Sequence, residues 1–357
     1  MKSPDLTNKE RVMLYGLTNY PKLTDKDLSK KLDLKHSTVT SIRHRLKDEE
    51  YFRKLNIPQL QNMGSKMLVA IYTNFSPLIP LDERVKITGK TIEVFEEIFF
   101  SVGEQDKGFS LSLSKDYATI GRINDIRTQT FGGRGLLEEA YPHMVVFPFE
   151  ISKIYRFFDF APLLKSSFNL NLDLNESDID TSYAGKGVVS FSSTEKKVYC
   201  MLVRYPENSD TEIGNKIGVS RHTVSRLRRK FANEKLVREI NLPNLKKLGF
   251  EILTMFHIRF DPRNPPNIEK DEARKLMGNS TILMASRMFE AFMLSAHVDY
   301  DDYKRDSNRI MQILKENKWI AENPIIRTHS LNELIFIKDF KFAPISKKII
   351  NCDLELE

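Results

Sequence analysis

Cysteine is nearly absent from this sequence. Cys200 and Cys352 are the only two in 357 residues, far apart and outside any CxxC spacing. That excludes a disulfide framework and a cysteine-rich zinc site, and it fits a reducing compartment. Long hydrophobic runs are absent too, and none approaches the ~18 residues of a membrane helix. No apolar signal-peptide core follows Met1, Lys2, Ser3, Pro4 and Asp5. A cytoplasmic protein with no membrane partner is the expectation. Enzyme motifs are also lacking: there is no Walker loop, no HExxH and no GxSxG. Gly132-Gly133-Arg134-Gly135 follows a predicted helix instead of a strand, with no Lys-Ser/Thr after it, and reads as a loop. His36, His44, His143, His222, His257, His297 and His329 are scattered without metal-ligand spacing. No metal, no cofactor and no enzymatic activity are expected on this reading.

What is present suits ordinary globular domains. Hydrophobic residues make up 41% and charged residues 29%, enough for real cores. The length allows two to four domains. A net charge of +7 leans toward a polyanionic partner, but its placement matters more than its total. The abundance of Lys, Asn and Ile suggests an AT-rich, archaeal genome.

The chain is written twice. Displaced by 185 positions, residues 10–77 align with 195–262 without a gap, and 18 of 68 pairs are identical. Among them are Glu10/Glu195, Leu17/Leu202, Asp25/Asp210, Arg43/Arg228, Asn56/Asn241 and Gly64/Gly249. The echo returns at a displacement of 183, with Phe109/Phe292 and Asp116-Tyr117/Asp299-Tyr300. It returns again at 182, with Phe160-Ala161-Pro162/Phe342-Ala343-Pro344. Between the copies, residues 166–192 carry Asp173, Glu176, Asp178, Asp180 and a Gly185-Lys186-Gly187 turn, and read as a partly flexible acidic linker. A short acidic tail, 351–357, closes the chain.

Each copy opens with three predicted helices. In the first, Val12, Met13 and Leu17 mark an amphipathic helix that breaks at Pro21. Thr24-Asp25-Lys26-Asp27 resembles a capping box, and Ser209-Asp210-Thr211-Glu212 is a regular one. A three-residue turn then leads to a third helix starting near Ser37 and His222, which is helix-turn-helix spacing. On that helix Val39, Ile42 and Leu46, like Val224, Leu227 and Phe231, form one stripe for the core. The opposite stripe presents Ser37, Thr40, Ser41 and His44, or His222, Ser225, Arg226 and Arg229, as candidates for base edges. Arg43, Arg45 and Lys47, with Arg221, Arg228 and Lys230, flank it as candidate phosphate contacts. Tyr51 to Leu55 and Leu236 to Ile240 read as short wing strands. Charge is concentrated here: residues 1–64 are net +5 and residues 193–249 net +7, leaving the remainder net negative. Double-stranded DNA is the expected partner.

The second part of each copy reads βαββαβ, a ferredoxin-like unit. A winged helix-turn-helix (1–64 and 193–249) followed by such a module (65–165 and 250–350) resembles the Lrp/AsnC feast/famine regulators. Leu55-Asn56-Ile57-Pro58…Leu60…Gly64 sits where that family joins wing to sheet, and Val102-Gly103-Glu104…Phe109-Ser110-Leu111 resembles its second hairpin. The expected fold class is therefore α+β, two tandem copies of winged helix-turn-helix plus ferredoxin-like module. The resemblance implies self-association through the ferredoxin-like modules, here between copies of one chain, and a small-molecule effector. Copy two has Arg287-Met288-Phe289-Glu290 where copy one has Gly103-Glu104-Gln105-Asp106, so no effector residue is named. Two other readings share the plan: a siroheme-decarboxylase-like enzyme, and a winged-helix scaffold for transcription machinery. The former would need His and Arg of the sheet module to hold tetrapyrrole carboxylates, and no such pairing recurs in both copies.

Overall fold

The structure, a computed structural model, describes residues 6–171 and 187–354. Most of the acidic linker, the first five residues and Glu355–Glu357 of the tail lie outside these.

Copy one begins with α1 (Asn8–Asn19), α2 (Asp25–Lys31) and α3 (His36–Asp48), then β1 (Phe52–Pro58) and a short 3-10 turn, Leu60–Met63. Its sheet module follows as β2 (Met67–Asn74), α4 (Leu81–Glu93), β3 (Ile98–Gly103), β4 (Lys107–Ser114), α5 (Tyr117–Gly132) and β5 (His143–Pro148). Two elements come after that module, β6 (Lys153–Phe157) and α6 (Ala161–Ser167). Copy two repeats the order: α7 (Ser193–Arg204), α8 (Asp210–Ile217), α9 (Arg221–Asn233), β7 (Val237–Pro243), β8 (Ile252–Arg259), α10 (Lys270–Met277), β9 (Thr281–Arg287), β10 (Glu290–His297), α11 (Tyr300–Glu316), β11 (Ile325–Ser330), β12 (Ile335–Lys338) and α12 (Phe342–Ile350). Gly64 and Gly249, which end the join, both take a positive φ (106° and 82°) that a side chain would strain.

The two sheets are ferredoxin-like. One runs β5-β2-β4-β3 and the other β11-β8-β10-β9, with antiparallel neighbours throughout. Each gains a fifth strand from the other copy. β12 of copy two pairs with β3, and β6 of copy one pairs with β9. Helices cover one face of each sheet. Val69, Ile71 and Ile98 of the sheet pack against Ile92 of α4 and Ile120 and Ile123 of α5. In the other sheet Phe256, Ile258, Met284 and Met293 pack against Ile310 of α11. Burying such side chains at about 1.5–3 kcal/mol each supplies most of the driving force.

The compact units do not follow chain order. One combines residues 6–55 and 152–171 of copy one with 239–332 of copy two; the other combines 56–151 with 187–238 and 333–354. Helix-turn-helix 1 thus belongs with sheet 2, and helix-turn-helix 2 with sheet 1. A matched pair of buried side chains makes these junctions. Asn241 donates to the Leu17 carbonyl at the end of α1, and Asn56 donates to the Leu202 carbonyl on α7, both at 2.8 Å. These satisfy helix carbonyls that lack partners in their own helix.

Candidate nucleic-acid interface

Both three-helix modules are built by the same local chemistry. Thr7 and Ser192 open α1 and α7 with complete capping boxes, in which Glu10 and Glu195 reach back to the cap N–H. α9 starts on Ser220, whose hydroxyl accepts from the Thr223 N–H, while Lys35 gives α3 no side-chain cap. Val224, Leu227 and Phe231 are buried, and Phe231 lies 5.4 Å from both Phe191 and Tyr199 in an aromatic cluster. In α3, Val39 and Leu46 are fully buried and Ile42 is half-buried.

Several residues assigned to phosphate by the sequence are tied within the module. Arg43 pairs with Asp25 at 2.6 Å, and its counterpart Arg228 pairs with Asp210 at 2.8 Å. Arg45 pairs with Glu10 and Glu49, and Lys230 pairs with Glu195 at 2.7 Å. The Lys230 ammonium and the Ser192 cap together hold the Glu195 carboxyl down to about 2. Thr40, grouped with the base-facing residues, donates to Asp25 at 2.8 Å. These pairs clamp the third helix to the first two.

The outward residues then differ sharply between copies. On α3, Ser37, Ser41 and His44 are exposed, and Lys47 is exposed at the end of the helix. On α9, Arg221, His222, Arg226 and Arg229 are exposed, with half-buried Ser225 accepting from Arg229 at 3.2 Å. One outward face is nearly neutral, and the other carries three guanidiniums.

A second polar cluster was missed by the sequence reading. β8, β10 and β11 align Met255 and His257 with Arg327 and His329 on the sheet face away from α10 and α11. His257, Arg327 and His329 are buried. The His257 ring lies 3.7 Å from Glu290, which Arg287 holds at 2.6 Å, and His257 with Arg287 lowers the Glu290 carboxyl. The matching positions of the other sheet, by the same register, are Tyr72, Val145 and Phe147. Among the described residues no group of three or more His, Cys, Asp or Glu could hold a metal ion, and no helix is long and apolar enough to cross a membrane.

No family model matches the sequence, and no curated protein does. Solved structures do match. The siroheme decarboxylase NirDL aligns over 97% of this chain and 99% of its own, with a TM-score of 0.51 at 8% identity. An AsnC family transcriptional regulator from Agrobacterium tumefaciens aligns over 40% of this chain and 90% of its own, at 11% identity and a TM-score of 0.33. PF0864 from Pyrococcus furiosus, a member of the AsnC family, aligns over 40% and 88%, at 19% identity and a TM-score of 0.31. The α+β class with ferredoxin-like sheets is therefore the fold of this chain. The sequence-based reading that the chain is not an enzyme is corrected by the same comparison, because the fold spanning nearly all of it is also that of a decarboxylase. Missing motifs do not exclude an enzyme, since a site assembled by strand register leaves no contiguous motif.

Proposed function

We propose that this protein is a sequence-specific double-stranded DNA-binding transcription regulator with two non-identical readers, of which α9 is the stronger. The observation that carries this reading is the exposed stripe Arg221, His222, Arg226 and Arg229, set apart from the internally paired Arg228 and Lys230. Forked guanidiniums suit bidentate contacts to guanine in a major groove. α3, with Ser37, Ser41 and His44 outward, reads fewer base edges, so an operator with unequal half-sites is expected. The test is selection of bound duplexes from fragmented genomic DNA at about physiological salt, where phosphate-only binding is weak. A motif should emerge, and Arg226→Ala with Arg229→Ala should weaken it about tenfold or more, relaxing one half-site. Equal binding of every sequence, unchanged by the two substitutions, refutes the reading.

The buried His257, Arg327 and His329 favour a second reading, a tetrapyrrole-carboxylate enzyme on the same fold. Arg327 would hold a carboxylate, and the imidazoles would move protons beside it. Titration with an iron tetrapyrrole should then give a shifted Soret band that Arg327→Met abolishes. An unshifted spectrum would remove this reading and leave DNA binding untouched.

A further inference from the structure

The helix–sheet layer of sheet 1 contains two buried arginines that the DNA reading does not use. Arg84 on α4 is 1% exposed and Arg127 on α5 is 2% exposed. Neither has a carboxylate at ion-pair distance among the described residues, though the Asp106 charge reaches Arg84 from farther off. Arg84 donates to the Glu104 carbonyl and lies 4.5 Å from the Phe75 ring centroid. Arg127 donates to the Ser110 hydroxyl at 2.9 Å and lies 5.9 Å from the Phe131 ring. Phe75 and Phe131 are themselves an edge-to-face pair, 6.1 Å apart, so each cation sits on one ring of the same aromatic pair. Burial draws both guanidiniums down to about 10, and each stays charged at neutral pH.

The surroundings hold more unmet polarity. The Nε atoms of Arg84 and Arg127, Ser112 Oγ, Asn124 Oδ1 and Thr128 Oγ1 are buried without a hydrogen-bond partner. Ser110 and Ser112 lie opposite Ile71 and Val69 on β4, on the face that α4 and α5 cover. Gly103, beneath Arg84, would set a Cβ 3.3 Å from its Nη1, so the bare backbone admits the guanidinium. Copy two keeps a buried serine at the Ser112 position, Ser295, hydrogen-bonded to Thr281 at 3.0 Å, but it lacks both arginines. The repeat places Ile310 at the Arg127 position and Met293 at the Ser110 position, and Ala273 is the fourth residue of α10 as Arg84 is of α4. All three are buried in an apolar cluster. The fold thus needs no charge in this layer. Unpaired buried cations are costly unless an anion compensates them.

We propose that this layer of sheet 1 is a binding site for a compact oxyanion, a phosphate or carboxylate group, received by Arg84 and Arg127 with Ser112, Asn124 and Thr128 around it. A forked guanidinium pair with hydroxyl donors is the chemistry that recognises such groups. The site lies apart from α9, and its failure would leave the DNA reading standing.

Thermal melting of the full-length chain tests it, with inorganic phosphate, acetate or chloride added at matched ionic strength. Phosphate or acetate should raise the melting temperature by several degrees, saturably, at about a hundredfold excess over Kd. A phosphate-only response assigns a phosphoryl ligand, and an acetate-only response a carboxylate. Arg127→Ile with Ser110→Met, which copies the apolar layer of copy two, should abolish the shift. Thr128→Val, at a half-buried position that leaves both arginines in place, should weaken it several-fold. The proposal falls if neither anion exceeds chloride, or if both variants respond as the parent does.

Discussion

At the scale of single residues, one pair of identities in the repeat explains itself only in three dimensions. Glu10 and Glu195 each cap a helix and also hold a cation of the third helix, Arg45 or Lys230. The Glu195 carboxyl is depressed from 4.5 to about 2, so its contribution is present above pH 4.5 and lost as pH falls toward 2. Glu195→Gln keeps the capping geometry and removes the charge. It should lower stability by about 1 kcal/mol at neutral pH, with the difference from the parent closing near pH 2. Chemical denaturation across that range checks this, and a gap independent of pH would contradict it. The sequence showed that Asp25, Arg43 and their partners persist in both copies. It does not show that Arg43 meets Asp25 on a neighbouring helix, so the sequence alone points these cations at phosphate. A basic residue on a helix face looks the same whether its partner is DNA or an acid on the helix beside it.

At the scale of elements, the helix-turn-helix modules and the βαββαβ order were legible, because apolar periodicity and the repeat reinforced each other. α4 runs to Glu93, and packing of Ile92 into the core holds its last turn. β6 and β12 were missed. They are only five and four residues long, and their partners lie in the other copy. Local patterning carries no record of so distant a pairing. The same reason hid His257, Arg327 and His329, which meet only through the register of β8 with β11. The buried Arg84 and Arg127 were invisible for a related reason: a cation on an amphipathic helix reads as solvated until the structure turns it inward.

At the scale of the whole molecule, the two copies are interlaced, each lending the other a fifth strand and a buried asparagine. Residues 1–171 and 187–357 produced separately should therefore lack cooperative melting, and mixing them should restore it in a one-to-one complex. A half that melts cooperatively alone, as a monomer by sedimentation, would show that the exchange is dispensable. The exchange also sets a timetable for synthesis. The unit that opens with residues 6–55 is complete only at residue 332, and the other only at residue 354. At ribosomal speeds of roughly 5–20 residues per second, the first module waits on the order of tens of seconds for its sheet. Through that interval the first module has been made but the sheet of its compact unit has not, so its folding must wait on the C-terminal half of the chain.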